Sequence, residues 1–209
     1  GNLRPDLGGT ANCSTTWDPD GAGREVLRLV VGGSNLAAGS ATQAARVATF
    51  DGTRWTALGT GPGTAGEVQE LTVWNGQLIA GGTFTVGGTD RVAAWNGLSW
   101  QGLGTGAPNV VQGLTVWNNL LVAVGHTGTS TLLPQIRTWN GSIWTTLPNP
   151  PNLQNPRTAV SYRGLLCVGG TGPFPALAGV LERWDGSTWS SSILASGPST
   201  GDILCFSVR

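Results

Sequence analysis

The sequence predicts an all-β fold: a β-propeller of four complete four-stranded blades of about 45 residues, with partial blade strands at both termini. A recurring segment carries most of the prediction. It reads Val47-Ala-Thr-Phe-Asp-Gly-Thr-Arg-Trp55, Val92-Ala-Ala-Trp-Asn-Gly-Leu-Ser-Trp100, Ile136-Arg-Thr-Trp-Asn-Gly-Ser-Ile-Trp144 and Leu181-Glu-Arg-Trp-Asp-Gly-Ser-Thr-Trp189, and the closing tryptophans are spaced 45, 44 and 45 residues apart. A fixed period of this size is the mark of a repeat architecture. The runs between turn signals are four to seven residues long and rich in Val, Leu, Ile, Thr and Trp, which is strand chemistry. No sustained 3.6-residue apolar period occurs, and Gly and Pro interrupt every candidate helical window.

Each unit then resolves into four strands. The first is the Leu-Thr-Val-Trp block at Leu71–Trp74 and Leu114–Trp117, with Ala159-Val-Ser-Tyr162 in the fourth copy. The second runs into glycine, as in Leu78-Ile-Ala-Gly-Gly82 and Leu166-Cys-Val-Gly-Gly170. The third precedes the Asp/Asn-Gly turn and the fourth begins at the closing Trp. The first copy is stretched by Asp18-Pro-Asp-Gly-Ala-Gly23 before Leu29-Val-Val-Gly-Gly33. Asn-Gly and Asp-Gly are expected to supply the two positive φ values of a two-residue hairpin turn. The Gly-Gly pairs are expected where the second strand ends near a neighbouring backbone. The units span roughly 11–61, 66–106, 109–150 and 155–194 of one domain, 1–209, with terminal partial strands at 3–9 and 202–209. Either four blades close with extra edge strands, or the chain is a piece of a larger ring. A piece exposes sheet edges and is expected to self-associate or swap strands.

All ten tryptophans fall on repeat positions, so they read as blade-to-blade packing. Trp17, Trp74 and Trp117 end first strands, Trp95, Trp139 and Trp184 precede the turn, and Trp55, Trp100, Trp144 and Trp189 open fourth strands.

Gly-Gly after an apolar strand, an aromatic-Asp/Asn-Gly turn, then Trp-x-x-Leu resembles kelch-like repeats. The pattern is most similar to the galactose oxidase central domain and to large bacterial surface proteins. The resemblance covers about residues 10 to 209 and implies a propeller, while leaving function open. Oxidase chemistry of that family needs Tyr and His copper ligands and a Cys–Tyr cross-link. This chain has one His, His126, and one Tyr, Tyr162, and is not expected to assemble that site.

No other catalytic or cofactor-binding constellation emerges. Asp51 and Asp185 alternate with Asn96 and Asn140 at one repeat position, which reads as turn geometry. Glu67 and Glu70 have no evident partner. Asp18 and Asp20 are weak metal candidates, since two carboxylates two apart before Gly can begin a calcium loop; a plain turn is the preferred reading. Cys13 and Cys205 occupy equivalent first-strand positions, four before Trp17 and Arg209, and pair as a disulfide or stay as two buried thiols. Cys167 reads as a core thiol. Two Asn-x-Ser motifs occur, Asn12-Cys-Ser14 and Asn140-Gly-Ser142.

The net charge is zero, and the 11 basic residues are all Arg, without a run. Nucleic acid and membrane insertion are therefore not expected. The start, Gly1-Asn2-Leu3-Arg4, reads as a processing boundary without a signal peptide. Only 11% of residues are charged, and Lys and Met are absent, which favours an extracellular or cell-surface location. The expected function is a non-catalytic structural or protein-interaction module, with protein partners or self-association through sheet edges. A carbohydrate-binding propeller is the alternative; an oxidoreductase of galactose oxidase type ranks below both.

Overall fold

Each repeat folds into one antiparallel sheet whose four strands run in sequence order. The structure, a computed structural model, describes residues 7–21, 23–38, 45–63, 65–87, 90–105, 107–128, 133–173 and 179–193. The chain divides into two compact units, Gly1–Thr105 and Gly106–Arg209. The first holds β1 (Leu7–Trp17), β2 (Arg28–Ala38), β3 (Ala45–Phe50) and β4 (Trp55–Ala57), then β5 (Val68–Trp74), β6 (Gln77–Val86), β7 (Asp90–Trp95) and β8 (Trp100–Gly102). The second holds β9 (Val110–Trp117), β10 (Leu120–His126), β11 (Pro134–Trp139) and β12 (Trp144–Thr146), then β13 (Asn155–Tyr162), β14 (Leu165–Thr171), β15 (Gly179–Trp184) and β16 (Trp189–Ile193). The fold is all-β, four blade sheets of four strands each. Among the described residues no helix is long and apolar enough to cross a membrane.

Leu7 to Gly9, expected in a separate terminal strand, instead extend β1, with Leu7 paired to Ala38. The partial strand at 202–209 lies outside the described residues, as do residues 3–6.

The second strand carries the longest buried run of each sheet. Leu78 through Gly82 and Leu121 through Gly125 are buried without alternation, so both faces of these strands are covered. In the first unit Val30, Leu78, Ala80 and Phe84 pack with Trp17, Trp95 and Trp100. In the second, Val122, Val124, Leu166 and Val168 pack with Trp117 and Trp184.

Every first strand carries a β-bulge at the same place. The extra residues are Asn12, Gln69, Gln112 and Arg157, polar in each copy. Opposite each bulge stands the second glycine of the Gly-Gly motif, or Gly125 where Val124 replaces the first. An added Cβ would lie 1.9 Å from Thr10 O at Gly33, 2.0 Å from Glu67 O at Gly82, 1.8 Å from Val110 O at Gly125 and 2.0 Å from Asn155 O at Gly170. The expected approach of a neighbouring backbone is thus real, and it comes from the bulge in the adjacent strand. β2 and β6 run on past their glycines, whereas β10 and β14 end one residue later.

The two hairpin types differ. Between first and second strands, Asn75-Gly76, Asn118-Asn119 and Arg163-Gly164 take positive φ at both positions, the two-residue turn expected. The Asp/Asn-Gly pairs between third and fourth strands do not. There only the glycine is positive, and a four-residue loop is closed by the Asp or Asn side chain. Asn96 Oδ1 accepts the amides of Leu98 and Ser99 at 2.9 and 2.8 Å; Asn140 Oδ1 accepts those of Ser142 and Ile143 at 2.9 and 3.0 Å. Asp51 and Asp185 cap in the same way and accept hydroxyls of Thr53 and Ser187 as well. These bonds hold Asp51 down to about 2 and Asp185 well below the usual carboxylate range. The loops are flanked by tilted aromatic pairs, Phe50–Trp55, Trp95–Trp100, Trp139–Trp144 and Trp184–Trp189, with centroids 5.1, 5.5, 5.3 and 5.1 Å apart.

Candidate functional site

Four of the tryptophans, Trp17, Trp100, Trp117 and Trp189, spend their indole donors within the scaffold. Trp17 Nε1 donates to Gly76 O at 3.0 Å and Trp117 Nε1 to Gly164 O at 2.8 Å, each reaching from a first strand to the hairpin turn of the following sheet. Trp100 and Trp189 reach back, to Leu58 O at 3.1 Å and Pro148 O at 2.7 Å. Arginines do likewise: Arg46 donates to Gly66 O and Gly63 O, and Arg91 to Thr83 O and Phe84 O.

Between the two sheets of the first unit lies an open groove of about 460 Å³. Trp17 and Trp95 contribute to its wall, and Glu25, Arg28, Gln77 and Asn96 are its polar lining. Glu25 and Arg28 are paired. Asn96 Oδ1 is committed to its turn, which leaves its amide NH₂. Trp17 is only 6% exposed and Trp95 8%, so no indole face is bared for stacking. The lining can donate and accept hydrogen bonds to a hydroxylated ligand. It presents no nucleophile next to a base.

A second polar cluster sits where β1 meets β5. Asn12 Nδ2 donates to Val68 O at 2.9 Å and to Glu67 Oε2 at 3.1 Å, and Gln69 Nε2 donates to the same oxygen at 3.1 Å. Glu67, expected without a partner, therefore has two. Burial pushes the Glu70 carboxyl up to about 7, against the opposing effect of the Leu71 amide, which donates to Oε1 at 3.1 Å. Burial, then the neighbouring Glu70, pushes the Cys13 thiol up to about 12, which makes it a poor nucleophile. Cys205 lies outside the described residues. Cys167 is a buried thiol, as expected.

Glu70 makes stability depend on pH. Its folded value lies above its ordinary 4.5, so the native state holds the proton more tightly. Its contribution to stability is expected to be greatest below pH 4.5, to fall between 4.5 and about 7, and to level off above that. At about 1.4 kcal/mol per unit the fall is of order 3 kcal/mol. The Glu70→Gln variant is expected to lack it. Thermal melts of both proteins across that window isolate the effect from Asp51 and Asp185, whose depressed values act in the opposite direction, losing stability as pH falls.

The other singled-out residues separate. Asp20 Oδ2 accepts the amides of Arg24 and Glu25 at 2.7 and 3.1 Å, and Asp18 Oδ1 accepts that of Asp20 at 3.3 Å, so both shape their own loop. Among the described residues no three His, Cys, Asp or Glu side chains converge to hold a metal ion. His126 pairs with Val110 at one end of β9, and its Nδ1 accepts the Gly128 amide at 3.0 Å. Tyr162 stands by the turn that Trp117, at the other end of β9, contacts. Eight residues of strand separate those ends by roughly 23 Å, so His126 and Tyr162 cannot ligate one ion.

One buried acid was not foreseen. Glu182 is 0% exposed, yet satisfied: Asn152 N donates to Oε1 at 3.0 Å and Ser191 Oγ to Oε2 at 2.7 Å. Asn152 Nδ2 closes the network on Ser191 Oγ at 2.8 Å. The signal in the sequence is a departure from pattern, since the other copies have Ala48, Ala93 and Arg137 there. The Glu182→Ala variant leaves these donors unpaired and is expected to lose about 1–3 kcal/mol in urea unfolding, with Glu182→Gln losing less.

No protein-family model matches the chain, and no curated protein matches its sequence.

Proposed function

We propose that this chain is a non-catalytic module, of kelch-like repeat type, in a secreted or cell-surface protein, binding protein partners or copies of itself through exposed loop tips and sheet edges. One observation carries the reading. In every copy the same Asp or Asn cap holds a rigid loop, while the two residues before the closing Trp change: Thr53-Arg54, Leu98-Ser99, Ser142-Ile143 and Ser187-Thr188. Leu98 is 88% and Ile143 61% exposed. A constant scaffold presenting variable tips, some of them apolar, is the organisation of a binding surface. Low charge and the absence of Lys and Met support the extracellular location. Nucleic acid is a poor partner, because Arg46 and Arg91 spend donors on backbone carbonyls.

Light scattering over a concentration series tests the self-association arm. The wild type is expected to gain mass with concentration, and the double variant Leu98→Asp/Ile143→Asp to gain less. A monomer at every concentration, identical in the two proteins, removes that arm.

The groove beside Trp17 and Trp95 favours a second reading, carbohydrate binding. Its test is quenching of Trp fluorescence by a panel of simple sugars, which Gln77→Ala should weaken. Silence across the panel sinks this reading.

A further inference from the structure

Asn12 and Asn140, the acceptors of the two Asn-x-Ser motifs, are both exposed, but among the described residues the Asn12 amide nitrogen is engaged in hydrogen bonds to another strand and that of Asn140 is not. We propose that Asn140 is an N-glycan acceptor and that Asn12 is not; the proposal rests on the extracellular reading.

Asn140 opens the exposed loop between β11 and β12. Its Oδ1 accepts the backbone amides of Ser142 and Ile143, which holds the side chain against the residue that supplies the motif's hydroxyl. Its Nδ2 donates to nothing among the described residues. Both bonds span at most three residues, so the turn does not depend on tertiary packing and can form in a nascent chain. The capped loop occurs four times, and only the third copy fits the reaction. Asp51 and Asp185 lack an amide nitrogen, and Asn96 is followed at the second position by Leu98, which lacks a hydroxyl.

Asn12 is the bulge residue of β1. Its Nδ2 already donates to Val68 O and Glu67 Oε2 across to β5. A sugar on that nitrogen leaves it one N–H, so at least one of the two bonds to the β5 segment is lost.

The reaction class is oligosaccharide transfer from a lipid-linked diphosphate donor by a transferase. The Nδ2–C1 bond forms, the anomeric C–O bond breaks, the lipid diphosphate leaves, and one amide proton passes to a base of the transferase. The product is a bulky, solvated group on a loop tip.

The full chain, secreted from cultured eukaryotic cells, is treated with a glycan-releasing amidase in ¹⁸O water and mapped by peptide mass. The isotope label is expected at residue 140 and not at residue 12. Asn140→Gln removes the glycan. Ser142→Ala removes it too, and keeps the loop intact because the cap uses only the Ser142 backbone. Folded, secreted chain without label at Asn140, or with label at Asn12, overturns the proposal. The extracellular reading fails separately, if fractionation of the source cells finds the chain inside.

Discussion

Gly125→Ala is expected to destabilise the second unit by about 3 kcal/mol or more, or to prevent its folding. The new methyl would sit 1.8 Å from Val110 O, a backbone atom that no rotamer change can move. Overpacking against side chains costs about 1–3 kcal/mol, and a clash with a bulge carbonyl lies at or beyond the top of that range. Gly33, Gly82 and Gly170 face the equivalent carbonyls, Thr10 O, Glu67 O and Asn155 O, and should respond alike. Gly8 is the control. There the nearest atom to an added methyl is Ala37 Cβ at 3.6 Å, an ordinary contact, so Gly8→Ala should change stability little. Urea unfolding of the five variants checks the pattern. Equal, small effects at Gly8 and Gly125 would show that the bulge is not where the sheets are held.

Trp117→Ala is expected to cost about 3–5 kcal/mol, as for a buried aromatic truncated in a core. Trp117 is 6% exposed and packs with Val122, Leu166 and Val168. Its indole also satisfies Gly164 O at 2.8 Å. Trp117→Phe separates the two contributions. It keeps most of the buried area and loses the hydrogen bond, so it should cost about 1–2 kcal/mol. The same pair of substitutions at Trp17, which donates to Gly76 O, should behave alike. Tyr162 occupies the fourth copy of this position and is 45% exposed, with the Arg163 guanidinium 5.3 Å from its ring centre. Tyr162→Ala should therefore be far milder, and a loss as large as that of Trp117→Ala would contradict this account of the position.

Strand count and order were legible in the sequence because both follow from what repeats. Trp55, Trp100, Trp144 and Trp189 mark the period, and the glycines and Asp/Asn-Gly pairs divide each unit into four strands. Register was less legible. A bulge adds one residue to one strand, and Asn12, Gln69, Gln112 and Arg157 share polarity but no single residue type, so nothing announces them. The glycine opposite was visible, but what approaches it comes from a different strand. The outer loops were misjudged as two-residue turns because Asp-Gly and Asn-Gly suit both geometries; the choice falls to side-chain bonds such as Asn140 Oδ1 to Ser142 N. Of the candidate site, the interchange of Asp51 and Asp185 with Asn96 and Asn140 pointed to a turn role, though not to the side-chain cap that closes the loop. The groove was not visible, because Glu25 and Arg28 follow an insertion in one copy while Gln77 and Asn96 belong to the next. Glu70 and Glu182 were not distinguished in role, since a carboxylate in a strand looks the same in sequence whether it takes one backbone amide or a network of donors.

The central claim is that the recurring residues build four equivalent sheets and leave the loop tips free. Amide hydrogen exchange, resolved by residue, tests it most directly. The slowest amides are expected in the second strand of all four sheets, around Val31, Ile79, Val122 and Val168, which are buried and paired on both sides. Fast exchange is expected at Gly52, Gly97, Gly141 and Gly186 in the tips. If any one of these second strands exchanged as fast as the tips, the four copies would not be equivalent sheets, and the claim would fail.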